Sequence, residues 1–222
     1  MKQNNAVVLL SGGQDSMTCL FWALRNFDGV HAISFDYGQK HKIELEQARK
    51  ICEKMKVPFH LFDVKGIFLN SALVNHDENI NGAHHRNKDL PASFTAGRNA
   101  VFLTIAGGYA YDNNINNIVT GVCQTDYSGY PDCRQRFVDA AQLTVSLAVD
   151  CDMFIHTPLM YLTKMETWKL AADLCCLEEV VENSHTCYNG DHSTKNEWGY
   201  GCGECPACLL RKRGYEEYKT VI

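Results

Sequence analysis

The sequence predicts an α/β protein, a doubly wound parallel sheet carrying a small C-terminal lobe, within 222 residues. Three observations lead there. Short apolar runs alternate along the chain with stretches of helical period, the pattern of strands joined by crossover helices. The first run, Ala6-Val7-Val8-Leu9-Leu10, has no polar alternation, as expected of a strand covered on both faces. The region 184–210 turns to Gly, Cys and Asn with few large apolar residues, so it needs something other than an apolar core to hold it.

Ala6 to Leu10 is the first strand. Residues 16–26 place Met17, Leu20, Phe21 and Leu24 at i, i+3, i+4 and i+7, one face of a helix. A strand over Val30 to Phe35 follows. A helix over 40–56 puts Leu45, Ala48, Ile51, Cys52 and Met55 on one face, and Phe59 to Val64 reads as a third strand. Over 65–96 the pattern fails, and Asn, His, Asp and Gly dominate. A loop this long within a compact domain is usually a lid or a mobile segment. Its histidines, His76, His84 and His85, read as solvated loop residues, because no carboxylate or Cys sits beside them at metal-ligand spacing. Order resumes with a helix over 98–112, a strand over Ile118 to Val122, a helix over 133–149 and a short strand over Met153 to Ile155. Thr163-Lys164-Met165-Glu166 has capping-box spacing and opens a helix running to Cys176. The division expected is a nucleotide and substrate domain over 1–183 and a lobe over 184–222 that ends in a helix.

Composition narrows the function classes. With 45% hydrophobic and 21% charged residues, 16 Gly and 5 Pro, the chain is neither collagen-like, low-complexity nor coiled coil. A net charge of −5 offers no global footprint for nucleic acid. No apolar run approaches the ~20 residues of a membrane span, and the run after Asn5 is too short for a signal-peptide core. A cytoplasmic protein without membrane or nucleic-acid partners is expected. Eleven cysteines, an odd number, argue against a complete disulfide framework and for metal.

Ser11-Gly12-Gly13-Gln14-Asp15-Ser16 lies between the first strand and the first helix. Two glycines let the backbone approach an anion, and the helix N-terminus offers unpaired N–H groups and the positive end of its dipole. Ser11 and Ser16 add hydroxyls, and Asp15 can hold magnesium or cap the helix. No Gly-Lys-Ser/Thr occurs, so this is not a Walker loop. Cys187, Cys202, Cys205 and Cys208 form the second constellation, three of them as C-x-x-C-x-x-C beside Gly201 and Gly203. Four thiolates suit one tetrahedral, structural zinc per chain. An iron–sulfur cluster would use the same ligands, and buried free cysteines are a third reading. Zinc is preferred because all four lie in one compact lobe. The other seven cysteines lack such spacing and read mostly as small core residues. The third constellation runs from Gly121 to Arg134, from a strand end to a helix start, where open α/β sheets bind ligands. By its residues alone it is a polar loop with Asp132 as a helix cap.

Ser-Gly-Gly-Gln-Asp-Ser resembles the signature of the PP-loop ATP pyrophosphatases, whose adenine nucleotide α-hydrolase-like fold cleaves ATP between the α and β phosphates. Asp126-Tyr127-Ser128-Gly129-Tyr130-Pro131-Asp132-Cys133-Arg134 is similar to the substrate loop of the 7-cyano-7-deazaguanine synthase (ExsB/QueC) family. Further blocks follow in family order: Phe35 to Gln39, Gly97-Arg98-Asn99, Thr157 to Met160, Thr163 to Thr167, and the cysteine region. Met17, Ala96 and a long Asp191 to Tyr200 stretch depart from the family's usual pattern. The resemblance implies that 7-carboxy-7-deazaguanine, ammonia and ATP with Mg2+ are converted to the nitrile through adenylated intermediates. It assigns Leu10, Ser11, Gly12, Gly13, Gln14, Asp15, Ser16, Met17, Thr18, Cys19 and Leu20 to ATP. It assigns Asp126, Tyr127, Ser128, Tyr130 and Asp132 to the heterocycle, and Asp15, Ser16, Arg98 and Lys164 to catalysis. Lys164 sits in a first helical turn, where the dipole disfavours a cation, which favours a functional role. A homodimer is the assembly entertained. Two other classes stay open, a PP-loop tRNA thiolase and a non-catalytic nucleotide-binding module stabilised by zinc.

Overall fold

The computed structural model describes residues 4–68, 72–74, 82–125 and 129–221. Five parallel strands form one sheet in the order β3-β2-β1-β4-β5. They are β1 (Asn5–Leu9), β2 (Gly29–Asp36), β3 (Phe59–Asp63), β4 (Asn117–Val119) and β5 (Phe154–His156). β1 pairs with β2 from Asn5↔Gly29 to Leu9↔Ile33 and with β4 from Ala6↔Asn117 to Val8↔Val119. Central position explains its unbroken apolar run. Ala6, Val8 and Leu10 enter one core, Val7 the other.

Helix α1 (Gln14–Asn26) and α2 (Ile43–Met55) cover one face, and α3 (Arg98–Asp112) and α4 (Gln135–Val149) the other. The strand order reverses between β1 and β4, so their C-terminal ends open the crevice where such sheets bind ligands.

Helix α5 (Lys164–Asp173) starts with the predicted box: the Thr163 side chain accepts from the Glu166 N–H, and Glu166 accepts from the Thr163 N–H. It ends earlier than the predicted Cys176. Cys175 takes a left-handed φ of 57°, which breaks the helix before a separate α6 (Leu177–Asn183). β4 is also shorter than its apolar run: beyond Val119 the backbone leaves the ladder toward the crevice.

Residues 65–96 contain no helix or strand among the described residues, but they are not all solvated. His84 is buried, its ring against His85 and Phe94, and its Nδ1 accepts from the Arg86 and Asn87 N–H groups. That corrects the expectation for His84; His85 is exposed, and His76 lies outside the described residues. Ala72 and Ala92, hydrogen-bonded backbone to backbone, are buried too.

The C-terminal region holds a small antiparallel hairpin, β6 (Lys195–Asn196) and β7 (Gly199–Tyr200), then α7 (Pro206–Lys219). The hairpin accounts for the long Asp191 to Tyr200 stretch, and Asp191 Oδ1 braces its entry by accepting from the Ser193 and Thr194 N–H groups. Cys187, Trp198, Cys205, Cys208 and Tyr218 share one apolar cluster with β1 and α1. Arg211 fastens this region. Though 1% exposed, it donates to the carbonyls of Trp198 and Val180 and to the Thr186 hydroxyl. Of the remaining cysteines, Cys19, Cys52, Cys123 and Cys176 are buried, Cys133 and Cys151 partly so, and Cys175 is exposed.

Candidate active site

A cavity of about 650 Å³ opens at the ends of β1, β2 and β4. That is within the range of small-molecule sites, roughly 300–1,000 Å³. Its floor is the turn after β1. Gly12 has φ +92°, and a Cβ there would overlap the Glu44 carbonyl, so only glycine lets the turn pass under α2. The Ser16 hydroxyl accepts from the Ser11 and Gly12 N–H groups and donates to the Gly13 carbonyl. It therefore shapes the turn from within. Gly13 gives α1 no side-chain cap; the Gln14 N–H reaches the Thr186 hydroxyl at 3.5 Å, which leaves the Asp15 and Ser16 N–H groups of the first turn to an anion. Gln14 is 2% exposed, and its Nε2 has no partner among the described residues, an orphaned donor on the cavity wall. Leu10, Ser11, Gly13, Gln14, Asp15 and Ser16 line the cavity, whereas Met17, Thr18, Cys19 and Leu20 are buried beneath it.

The structure brings Asp15 and Lys164 together across 149 residues: Lys164 Nζ lies 2.9 and 2.8 Å from the two carboxylate oxygens. The side chains are 28% and 11% exposed, so the pair faces the cavity without being sealed from water. Lys164 is held from behind by α7. Gly214 is packed so closely on it that a Cβ would come within 2.7 Å of the Lys164 Cβ.

The opposite wall starts from α3. Arg98 lies with its guanidinium carbon 5.7 Å from the Tyr37 ring centre, and Tyr130 and Tyr188 are close enough to interact with its charge. Tyr130 shares a 2.6 Å hydrogen bond with Ser93. Burial pushes the Tyr130 and Tyr188 hydroxyls above the ordinary phenol range, so both stay neutral donors. Asp132 stands behind this wall. Its Oδ2 accepts from the Asn99 N–H at 3.1 Å, capping α3 from a separate segment, while Asn99 Nδ2 donates to the Asp132 carbonyl. Asp126, Tyr127 and Ser128 lie outside the described residues.

Sequence reasoning missed Glu44, Tyr37, Thr186, Tyr188 and Arg211.

The four cysteines meet. The Sγ atoms of Cys187, Cys202, Cys205 and Cys208 all lie within 4.8 Å of one another. A tetrahedral site with Zn–S bonds of about 2.3 Å has S···S edges near 3.8 Å, and Cys202 to Cys208 is 3.9 Å. The Cys205 N–H points at the Cys202 sulfur, and the Tyr188 and Cys208 N–H groups at that of Cys205, as suits sulfurs carrying charge. Gly201 is required: a side chain there would meet Cys208 Sγ at 2.7 Å. The set fits a metal ion held by four thiolates.

The sequence profile of a family described as queuosine biosynthesis protein QueC matches residues 5–219. A 7-cyano-7-deazaguanine synthase of Bacillus subtilis is 49% identical, covering 100% of this chain and 98% of the relative. Another, from Wolinella succinogenes, is 46% identical, covering 100% and 97%. Among solved structures, NMN synthetase from Francisella tularensis superposes with a TM-score of 0.51 at 13% identity, over 88% of this chain and 71% of that one. A 4-thiouridine synthetase in complex with RNA and ATP gives 0.50 at 15%, over 97% and 50%. These two likenesses concern the fold alone.

Proposed function

The chain belongs to the QueC family of queuosine biosynthesis proteins, and from that premise we propose that it converts 7-carboxy-7-deazaguanine, ammonia and ATP to 7-cyano-7-deazaguanine. The observation that carries the reading is the single cavity into which both the glycine turn of β1 and the Arg98 wall open. The tRNA thiolase and the non-catalytic module give way to it because the relatives matched along their full length are named as synthases.

A carboxylate is a poor electrophile, so one oxygen must become a leaving group. Transfer of AMP to that oxygen does this and releases pyrophosphate. Ammonia then displaces AMP to give the amide. The amide oxygen must leave in its turn, and a second adenylation in the same cavity yields the nitrile. The protein's work is to hold carboxylate oxygen and α-phosphorus in line and to stabilise charge on phosphorus.

In this proposal the Leu10–Leu20 segment serves ATP. The uncapped start of α1 and the orphaned Gln14 Nε2 receive phosphate oxygens, and Lys164 meets the charge that grows on them. Arg98 faces the acid from the other wall, with Tyr37, Tyr130 and Tyr188 around the flat ring, and the family resemblance adds Asp126, Tyr127 and Ser128 to the residues that serve that ring. Asp132 keeps Arg98 in place through its hold on Asn99. Asp15 is the carboxylate available to magnesium, its two oxygens each retaining lone pairs beyond those on Lys164. Bound with ATP, the ion supplies neutralisation of phosphate charge. Zinc on the four cysteines would be structural, since four thiolates leave no open position for water. The setting is the cytoplasm, with small-molecule substrates. No helix among the described residues is long and apolar enough to cross a membrane.

Incubation with ATP, ammonium and the carboxylic acid, followed by mass spectrometry, should show the nitrile with AMP and pyrophosphate. ADP and phosphate as the sole nucleotide products would overturn the reading of the loop.

A further inference from the structure

Two carboxylates line the cavity among the described residues, Asp15 and Glu44, and they differ in one respect. Asp15 is tied to Lys164 through both oxygens. Glu44, in the first turn of α2, accepts no hydrogen bond from any described residue. Its Oε1 lies 3.9 Å from where a Gly13 Cβ would stand, which places the free carboxylate beside the glycine turn. From the far side it feels the charge of Arg98, and the Tyr37 and Tyr188 hydroxyls feel it in turn. Glu44 therefore stands where the phosphate floor and the acid-facing wall meet. The exposed His41 lies on the same rim, and its imidazole is the alternative base there.

The chemistry requires something that no residue assigned so far supplies. Ammonia attacks through its lone pair, and at neutral pH nearly all of it is ammonium, which has none to give. A cation-binding group that also removes a proton solves both problems at once. The positive groups on the cavity walls, Lys40, Arg98, Lys164 and Arg211, repel ammonium, and Asp15, bridged to Lys164, is the carboxylate given to magnesium.

We propose that Glu44 is the ammonium site of the synthase, docking the cation beside the acyl adenylate and taking its proton. The assignment rests on the synthase reading above. One N–H proton passes to the Glu44 carboxylate, and the freed lone pair forms the C–N bond at the acyl carbon. The acyl C–O bond then breaks with its electron pair leaving on AMP. The adduct's surplus proton goes to water, and so in a later step does the one on Glu44. Burial supports the role by pushing the Glu44 carboxyl up to about 7, with Arg98 acting the other way. A base poised near the working pH is the efficient one.

Glu44→Gln tests this with two readouts on the full chain. Acid-dependent exchange of pyrophosphate into ATP, without ammonium, reports adenylation and should stay within about threefold of the parent. Nitrile formation against ammonium should lose about 100-fold in kcat/KM at pH 7, the usual scale of a general base. Above pH 7 that gap should close by about tenfold per pH unit, as free ammonia replaces the missing base. Three results overturn the proposal. Exchange could fall as far as nitrile formation, which would make Glu44 a residue for ATP or its metal. Ammonium dependence could be unchanged. Or the loss at pH 7 and its recovery at high pH could appear in His41→Ala instead of Glu44→Gln, which would make the histidine the base. If the parent chain itself showed neither acid-dependent exchange nor nitrile, the synthase reading would fall, and this inference with it.

Discussion

Asp132 sits in the segment that resembles a heterocycle-binding loop, yet its carboxylate is engaged at the Asn99 N–H. That bond fixes the start of α3, and Arg98 is the first residue of that helix. Asp132→Ala should cost about 1 kcal/mol of stability, the usual worth of a cap, and should weaken acid binding by letting Arg98 move. Asp132→Asn keeps a carbonyl acceptor for the Asn99 N–H and should restore the melting temperature. Thermal melts beside acid affinity check both; an Ala variant that binds weakly but melts normally would put the carboxylate on the ligand instead. The glycine turn and the four cysteines were legible from sequence because each is a short, contiguous or nearly contiguous pattern. Glu44, Tyr37 and Tyr188 were not assigned, because their meeting is made by three elements whose ends converge. No local spacing encodes that convergence.

At the scale of elements, sequence reading was best where one physical rule dominated. β1 shows its burial on both faces as an unbroken apolar run, and α5 shows its start as a capping box. The reading failed where a single backbone angle decided, as at Cys175, and where a two-residue pairing made a hairpin of β6 and β7. The packing of α7 on α5 was equally hidden, since it depends on the absence of a side chain. Gly214 lies against Lys164 with no room for a methyl. In an exposed helix Gly→Ala gains about 1 kcal/mol. Here Gly214→Ala should instead lower the melting temperature and cut the rate of AMP formation at least tenfold, by shifting the lysine from Asp15. The substitution changes no charge, so a fully active, more stable variant would show that the placement of Lys164 is unimportant.

The whole molecule joins its metal centre to its sheet. Sequence composition marks 184–222 as a lobe, but Cys187, Cys205 and Cys208 share an apolar cluster with Ala6, Val8 and Leu10, and Arg211 ties α7 to Val180 in the middle of α6. Metal removal should therefore lower one melting transition of the entire chain rather than detach a small one. Calorimetry before and after a strong chelator measures this, with Cys205→Ser, which also removes the sulfur that accepts from the Cys208 N–H, as the genetic counterpart. Metal analysis should give about one zinc per chain. The same division of cores has a consequence for descent. The glycine turn, α5 and the metal centre pack into one core, while Tyr37, α3 and Cys133 pack into the other, on opposite faces of the sheet. Heritable change in the second core can alter which acid is accepted and leave the machinery for activating it intact. A lineage built on this plan is free to diversify in diet long before it diversifies in fuel.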